Sequence, residues 1–280
     1  MTNQFKSFIL IVAMTGLLCW MGDMLYGKSG LVMALAVGLF MNAFAYFFSD
    51  KIVLMTSGAR IVGQAEAPEL YAIVANLAQR AGLPMPKVAI IPDETPNAFA
   101  TGRNPEHAVV ACTEGIMRLM TRQELEAVLA HELGHVKHRD ILVGSLAAVL
   151  AQSIMFLSRM AFWFSPRDSE GRSNPLAAIA VMILGPVAAM MLQMAISRSR
   201  EYMADEYSAH ITGRPDQLAS ALERLDAFNR QAPMAHAQPA TAHLMTVNPL
   251  AGGGLMGLFS THPPIQKRIE RLRGMAVEAR

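Results

Sequence analysis

Long apolar stretches dominate the hydrophobic pattern of this chain. Four of them hold one charged residue or none: Phe5 to Trp20, Gly30 to Phe48, Ile141 to Phe164 and Leu176 to Ile196. A helix needs about 20 residues to cross the hydrocarbon core of a bilayer. The last three stretches reach that length, and the first reaches it if it continues to Tyr26. The pattern therefore predicts four transmembrane helices, paired as one hairpin in residues 1–48 and another in residues 141–196.

Two of these assignments have alternatives. The first stretch contains Lys6 and could be a secretory signal, but residues 21–26 offer no small-x-small cleavage site, which favours an uncleaved anchor. The third and fourth stretches could form a buried helical hairpin of a globular domain, because Arg159 interrupts one and Gly185-Pro186 the other. Their length, and the absence of charge in the fourth, favour the bilayer.

Four spans would place both termini and the long polar segments on the same side of the membrane. Near the span ends, seven Lys or Arg residues lie on that side and three on the other. Basic residues are enriched on the cytoplasmic side of membrane proteins. We therefore expect a multi-pass protein of a cytoplasmic membrane, with residues 49–140 and 197–280 in the cytoplasm.

The polar segments show the periodicity of helices and short strands. Helices are expected at Pro68 to Ala81, Arg214 to Asn229 and Pro264 to Glu278, and strands at Lys87 to Ile91 and Ala108 to Cys112. Thr121 and Glu124 have the spacing of a capping box, which predicts that another helix begins there. Gln231 to Phe259 is rich in Ala, Pro and Gly and is expected to be a loop. The predicted fold class is mainly α, of the α+β type.

Composition narrows the class of protein. Charged residues make up 16% of the 280 positions, against about 25% in soluble domains. A net charge of +2 argues against a nucleic-acid binder with a basic surface. Cys19 and Cys112 are the only cysteines, which excludes a disulfide framework and a cysteine-based zinc site. Any bound metal must therefore be held by histidine and carboxylate side chains.

The helix predicted to begin after Thr121 contains His131-Glu132-Leu133-Gly134-His135, an H-E-x-x-H motif. Histidines four residues apart lie on one face of a helix, so both can reach a single zinc ion. The glutamate next to the first histidine is then placed to act on a water at that ion. Two surface histidines are the alternative interpretation of the motif.

Catalytic zinc needs a third protein ligand and an open position for water. His138 shares the helix face, but one straight helix cannot easily place three ligands around an ion. Glu201, which follows the second predicted hairpin, is the better candidate, and Asp205 one turn later could accept the outer N–H of a ligand histidine. The alternative is a solvated helix face on which both acids pair with Arg198 and Arg200.

These motifs together resemble a known family. H-E-L-G-H at residues 131–135, S-R-x-x-E-Y-x-A-D at 197–205, N-A-F-A-T-G at 97–102 and T-H-P-P at 261–264 are similar to the HtpX family of bacterial membrane zinc metalloproteases. The prenyl-protein proteases of the endoplasmic reticulum are more distantly similar. The resemblance implies a zincin-like metallopeptidase domain that contains a small β-sheet.

The resemblance also implies roles for individual residues. His131, His135 and Glu201 would bind one Zn²⁺ per chain, and Glu132 would be the catalytic base. Asn97, Ala98, Phe99 and Ala100, with Thr101, would form an exposed strand edge along which the substrate lies. His262 would lie near the metal, donating to the oxyanion or occupying the open position in a latent state. The alternative is that His262 is a turn residue fixed by the two prolines that follow it.

The expected function is zinc-dependent cleavage of membrane or misfolded proteins at the cytoplasmic face of the bacterial inner membrane, in envelope-stress quality control. Protein substrates and the lipid bilayer are the expected partners, and nucleic acid is not. A transporter or scaffold with a structural zinc site is the competing class. Transporters place ionisable residues in several spans, whereas here only Arg159 and Gln152 are candidates. A soluble metalloenzyme with a buried hairpin is a third possibility.

Overall fold

The computed structural model of the protein describes residues 3–139, 200–231 and 263–278. These residues belong to two compact units, one ending at Phe48 and the other beginning at Ser49. Helices predominate, and a small mixed sheet accompanies them, as the sequence predicts. The third and fourth apolar stretches, nearly all of the Ala/Pro/Gly-rich loop, and His262 lie outside the described residues.

The first unit consists of helix α1, Asn3–Thr56, up to Phe48. Gly27 interrupts the helix with φ 61° and ψ −150°, a conformation that a side chain would oppose. Gly22 and Gly30 lie so close that a Cβ on either would overlap the carbonyl oxygen of the other. The two predicted N-terminal apolar stretches therefore form helical arms that fold back at Gly27.

Large apolar side chains cover much of the surface of these arms. Among them are Trp20, Val32, Leu39, Phe40 and Phe47, all exposed. A search of the described residues finds no helix with both the length and the apolarity to cross a membrane.

The second unit is built around a four-stranded sheet with strand order β1-β2-β4-β3. Its strands are β1 Arg60–Val62, β2 Lys87–Ile91, β3 Ala98–Thr101 and β4 Val109–Thr113. Strands β2 and β4 are parallel, and the other two pairs are antiparallel. Strand β4 begins one residue later than predicted, because Ala108 still closes the 3-10 turn Pro105–His107.

Both faces of this sheet are covered. Successive side chains along a strand point to opposite faces, so each strand contributes to both. Val88, Val110 and Cys112 point into the main core, where the helices pack. Ala89 and Phe99 point the opposite way, towards the end of α1 at Val53 and Leu54.

The remaining helices pack mainly on the face of the sheet that carries Val88, Val110 and Cys112. They are α2 Pro68–Ala81, α3 Glu114–Leu119, α4 Arg122–Lys137, α5 in residues 200–212, α6 Pro215–Gln231 and α7 Ile265–Glu278. The bounds of α2 match the prediction, and those of α6 and α7 agree within two residues.

The start of α4 is held by the predicted capping box and by a further contact to α6. Thr121 accepts a bond from the N–H of Glu124, and the Glu124 carboxylate accepts one from the N–H of Thr121. The same carboxylate is almost fully buried and accepts bonds from Ser220, at 2.6 Å, and Arg224, at 2.9 Å. Burial opposes its ionisation, but the bonds from Ser220 and Thr121 outweigh burial and lower the pKa of Glu124.

Replacing Glu124 by Gln should lower the free energy of unfolding at pH 7 by roughly 1–3 kcal/mol, because glutamine keeps one acceptor oxygen and leaves the donors to the other oxygen without a partner. Because the pKa is lower in the folded state, this contribution is complete above the unfolded-state value of about 4.3. It is lost as the pH falls through the folded-state value. Urea unfolding of the detergent-solubilised protein between pH 3 and pH 7 measures both the loss of stability and its pH dependence, because this range includes the unfolded-state pKa of about 4.3.

Glu126→Gln is the matched control, since Glu126 lies on the same helix and makes only a partly exposed ion pair with Arg80 at 3.4 Å. Such pairs contribute about 0–1 kcal/mol. Equal losses of stability in the two variants would show that the buried cap does not hold the start of α4.

Candidate metal centre

Helix α4 brings both histidines of the H-E-x-x-H motif to one side. The Nε2 atoms of His131 and His135 lie 3.2 Å apart, with the two rings edge to face. Helix α5 lies against α4 and contributes Glu201, whose carboxylate oxygens lie 3.6 Å from Nε2 of His131 and 3.7 Å from Nε2 of His135. The three predicted ligands thus converge on one point, although 66 positions of the sequence separate His135 from Glu201.

The spacing of these atoms suits a tetrahedral metal ion. One ligand atom from each residue can be chosen so that all three lie within 4.8 Å of one another. Zinc bonds of about 2.0–2.2 Å at tetrahedral angles place ligand atoms about 3.3–3.6 Å apart. The 3.2 Å between the two Nε2 atoms is close to such an edge, and each histidine has one Glu201 oxygen at a similar distance: Oε2 lies 3.6 Å from His131 and Oε1 lies 3.7 Å from His135. Two imidazoles and one carboxylate are therefore both chemically and geometrically able to hold a divalent cation.

Close packing between α4 and α5 brings Glu201 to the histidines. A Cβ on Gly134 would lie 3.2 Å from Cα of Ala204 and 3.2 Å from the ring of Tyr207, so the glycine permits the two helices to touch. Ser208 donates a buried hydrogen bond of 2.7 Å to the carbonyl oxygen of Ala127. Position 134, a variable position of the motif, is thus a contact point between the helices that supply the ligands.

Replacing Gly134 by Ala should weaken metal binding about tenfold, because the added methyl group pushes α5, and Glu201 with it, away from α4. Overpacking of this kind costs about 1–3 kcal/mol. Competition with a chromophoric zinc chelator measures the affinity. Gly274→Ala in α7 is the control, since a Cβ there meets no atom within 4 Å. Unchanged affinity in Gly134→Ala would show that the site tolerates helix separation.

Glu132 lies beside the ligands and is almost fully buried. Its Oε2 atom accepts a 3.1 Å hydrogen bond from the backbone N–H of Ala100 in β3. Burial raises the pKa of Glu132 above its usual value, and the negative charge of Glu201 adds to the increase. A carboxylate with a raised pKa next to a metal position is suited to accept a proton and give it back.

Strand β3 therefore reaches the centre through its backbone. It is an outer strand, pairing only with β4 among the described strands. The side chains of residues 97–101 are all buried. Ala98 and Ala100 pack in the main core, and Phe99 packs in the core on the opposite face of the sheet.

The structure also decides between the alternatives for the acidic residues. Glu201 and Asp205 have only 5% and 1% of their surface exposed, so they do not form a solvated face. Oδ1 of Asp205 lies 3.0 Å from Nδ1 of His131, on the side of the ring away from Glu201. Burial disfavours a charge on His131, yet Asp205 and Glu201 outweigh it and raise the pKa of His131 to about 10 in the metal-free protein.

Sequence reasoning missed one residue at this centre, Arg268 of α7. Its guanidinium donates from Nε to Oδ2 of Asp205 at 2.8 Å and from Nη2 to Oδ1 at 2.7 Å. Nη1 lies 3.2 Å from Oε2 of Glu201. A signal for it does exist in the sequence, since Arg268 falls among Ile265, Ile269 and Leu272 on the apolar face of an amphipathic helix.

His138 is not part of the cluster. It forms the C-terminal cap of α4, and its ring packs edge to face on Tyr207 with centroids 5.5 Å apart. The preference for Glu201 over His138 agrees with this arrangement.

A buried H-E-x-x-H helix, a glutamate from a second helix and an outer strand bonded to the motif's glutamate define a metallopeptidase. Residues 64–276 match the model of peptidase family M48, and the chain belongs to that family. The predicted resemblance is thereby confirmed, and the protein is an enzyme that hydrolyses peptide bonds with a metal cofactor.

Curated relatives cover almost the whole chain. Proteins named "Protease HtpX homolog" are 53% identical in Desulforapulum autotrophicum, over 98% of this chain and 90% of the relative, and 52% identical in Pyrococcus furiosus, over 98% and 96%. The homologue of Ralstonia pickettii is 52% identical over 99% of this chain and 98% of its own. Among solved structures, S. mikatae Ste24p has a similar fold, with a TM-score of 0.54 and 20% identity. The match covers 96% of this chain and 65% of that one.

Proposed function

We propose that this protein is a membrane-embedded zinc endopeptidase in which His131, His135 and Glu201 hold one Zn²⁺ and Glu132 is the general base. The observation that carries this proposal is the convergence of three ligand atoms, all within 4.8 Å of one another, beside a buried glutamate with a raised pKa. When bound, the ion would supply Lewis acidity, lowering the pKa of water at the site and polarising the scissile carbonyl group.

Glu132 moves the proton in this mechanism. Its Oε atoms take a proton from the attacking water and return it to the nitrogen of the leaving amine, so that the C–N bond breaks as a neutral amine departs. The hydrogen bond from Ala100 holds the carboxylate in place at 3.1 Å before substrate arrives. Burial raises the pKa of Glu132, which favours the first of these steps, the transfer of the proton from water to the carboxylate.

Asp205 is proposed to orient the metal centre. A carboxylate at Nδ1 of His131 fixes the ring and directs the other nitrogen, Nε2, towards the ion. The 3.0 Å distance between Asp205 and Nδ1 supports this role.

The substrate is proposed to bind as an extended peptide along β3, at Asn97, Ala98, Phe99 and Ala100. Pairing through the backbone binds peptides with little regard for their side chains, which suits a protease with many clients. The bond between Ala100 and Glu132 supports this placement, because it sets the strand next to the proposed base. His262, between Thr261 and Pro263, is proposed as the oxyanion donor or latent ligand.

The membrane assignment rests on the four apolar stretches of the sequence and on the exposed apolar side chains of α1. We propose four spans, an active site facing the cytoplasm of the bacterial inner membrane, and a role in removing membrane or misfolded proteins during envelope stress. Extraction of cell membranes with alkaline carbonate tests the anchoring: the protein should stay in the pellet. Release into the supernatant would instead favour a soluble metallopeptidase.

The enzyme proposal is tested with purified, detergent-solubilised protein and casein as substrate. Phenanthroline should abolish cleavage, and stoichiometric Zn²⁺ should restore it, whereas Mg²⁺ should not. Cleavage that survives complete removal of metal would overturn the proposal. A scaffold with a structural zinc site would bind the ion without cleaving casein, and it would have no use for a buried glutamate at position 132.

A further inference from the structure

Arg268 has an unusual environment for a charged residue. Its side chain is 1% exposed and is the largest of the fully buried side chains in the described part of the protein. Arginine is almost never buried to this extent unless it is paired. The partners of Arg268 are Glu201 and Asp205, the proposed third ligand and the acid next to His131.

The guanidinium divides its donors between these two carboxylates. Nε and Nη2 form a two-pronged contact with Asp205 at 2.8 and 2.7 Å, a geometry that fixes both position and orientation. Nη1 lies 3.2 Å from Oε2 of Glu201, while Oε1 is the atom 3.7 Å from His135. Arg268 thus contacts the oxygen of Glu201 that also lies 3.6 Å from Nε2 of His131, while the other oxygen faces His135.

Arg268 also balances charge in a buried place. Glu132, Glu201 and Asp205 are all buried, and when ionised they carry three negative charges. A divalent cation and one guanidinium together neutralise them. Without Arg268 both the empty and the occupied centre would carry one more uncompensated negative charge at low dielectric, which is costly.

We propose that Arg268 is a positioning residue that holds Glu201 and Asp205 in the geometry required for metal binding. The proposal rests on the proposed function, since it takes Glu201 as a ligand. It makes the metal centre depend on α7, a helix that begins three residues after His262 and contributes no ligand itself. The complete centre therefore requires the docking of three separate helices, α4, α5 and α7.

Positioning and simple charge compensation predict opposite results. If Arg268 acted only as a positive charge near the ion, its removal would tighten zinc binding, and lysine would replace it fully. If it acts through its fork of donors, both glutamine and lysine should weaken zinc binding, because neither can contact two carboxylates in this way. Loss of such an outer partner costs about 10–100-fold in metal affinity.

The test compares Arg268→Lys and Arg268→Gln with the wild type in full-length, detergent-solubilised protein. Zinc affinity is measured by chelator competition, and kcat and KM are measured with zinc at saturation. We expect about 10–100-fold weaker zinc binding in both variants, a lower kcat, and a KM close to that of the wild type. Arg273→Gln is the control, since Arg273 lies on the same helix and pairs with Glu223 at the surface.

A second variant separates positioning from general destabilisation. Asp205→Asn should weaken zinc binding, and combining it with Arg268→Lys should weaken it little further, because the two act as one unit. Wild-type or tighter zinc affinity in both Arg268 variants would overturn the proposal, as would independent losses in the combined variant. Zinc affinity is measured without substrate, so an inactive wild type would count against the proposed function and leave this test intact.

Discussion

Replacing Glu132 by Gln is expected to reduce casein cleavage by about 10²–10⁴-fold, the usual contribution of a general acid–base group. Glutamine keeps the shape of the side chain and can still accept the bond from the N–H of Ala100, but it cannot take a proton from water. Zinc binding should persist, because His131, His135 and Glu201 are unchanged. The measurement is the rate of cleavage together with the zinc content of the same preparation.

Glu126→Gln is the control for this variant, since it makes the same chemical change on the same helix at a partly exposed position. It should keep both activity and zinc. Cleavage by Glu132→Gln at the wild-type rate would show that Glu132 is not the base. Loss of zinc from Glu132→Gln would assign it a structural part in the centre instead.

Replacing His135 by Ala is expected to remove both the metal and the activity. The Nε2 atom of His135 is one of three that converge, and two remaining ligands leave the ion loosely held. The loss of affinity should exceed the factor of about 10–100 that follows from losing an outer partner. Zinc analysis after dialysis should therefore find almost none bound.

His138→Ala offers a close comparison, because His138 lies three residues further along, on the C-terminal cap of α4, and packs on Tyr207. It should retain zinc and most of its activity. Full zinc content in His135→Ala, or loss of zinc in His138→Ala, would place the metal elsewhere.

Local elements of this protein are predictable from short segments of sequence. The capping box at Thr121 and Glu124 was confirmed because it depends on residues three positions apart. The bounds of α2 followed from its apolar period and from Gly82, whose left-handed conformation ends the helix. Four-residue spacing likewise places His131 and His135 on one face, whatever the helix packs against.

Longer-range features were less predictable. The burial of the side chains of residues 97–101 could not be predicted, because it depends on what covers each face of the sheet. Glu201 could be proposed as a ligand only from its position after the second predicted hairpin and from the motif pattern, and its role, like those of Asp205 and His262, stays a prediction. Arg268 was overlooked because a basic residue in a basic helix is usually a solvated one, and only the fold shows what lies opposite.

The sequence by itself determined the chemistry available to this protein: histidine and carboxylate ligands, a base next to the first of them, and helix periodicity to place them. Those properties depend on neighbours within a few residues along the chain. The tertiary structure alone decided that α5 meets α4 at Gly134, that β3 bonds to Glu132, and that Arg268 joins Glu201 to Asp205. Such contacts join distant segments, and their energies depend on burial and distance, which exist only once the chain has folded.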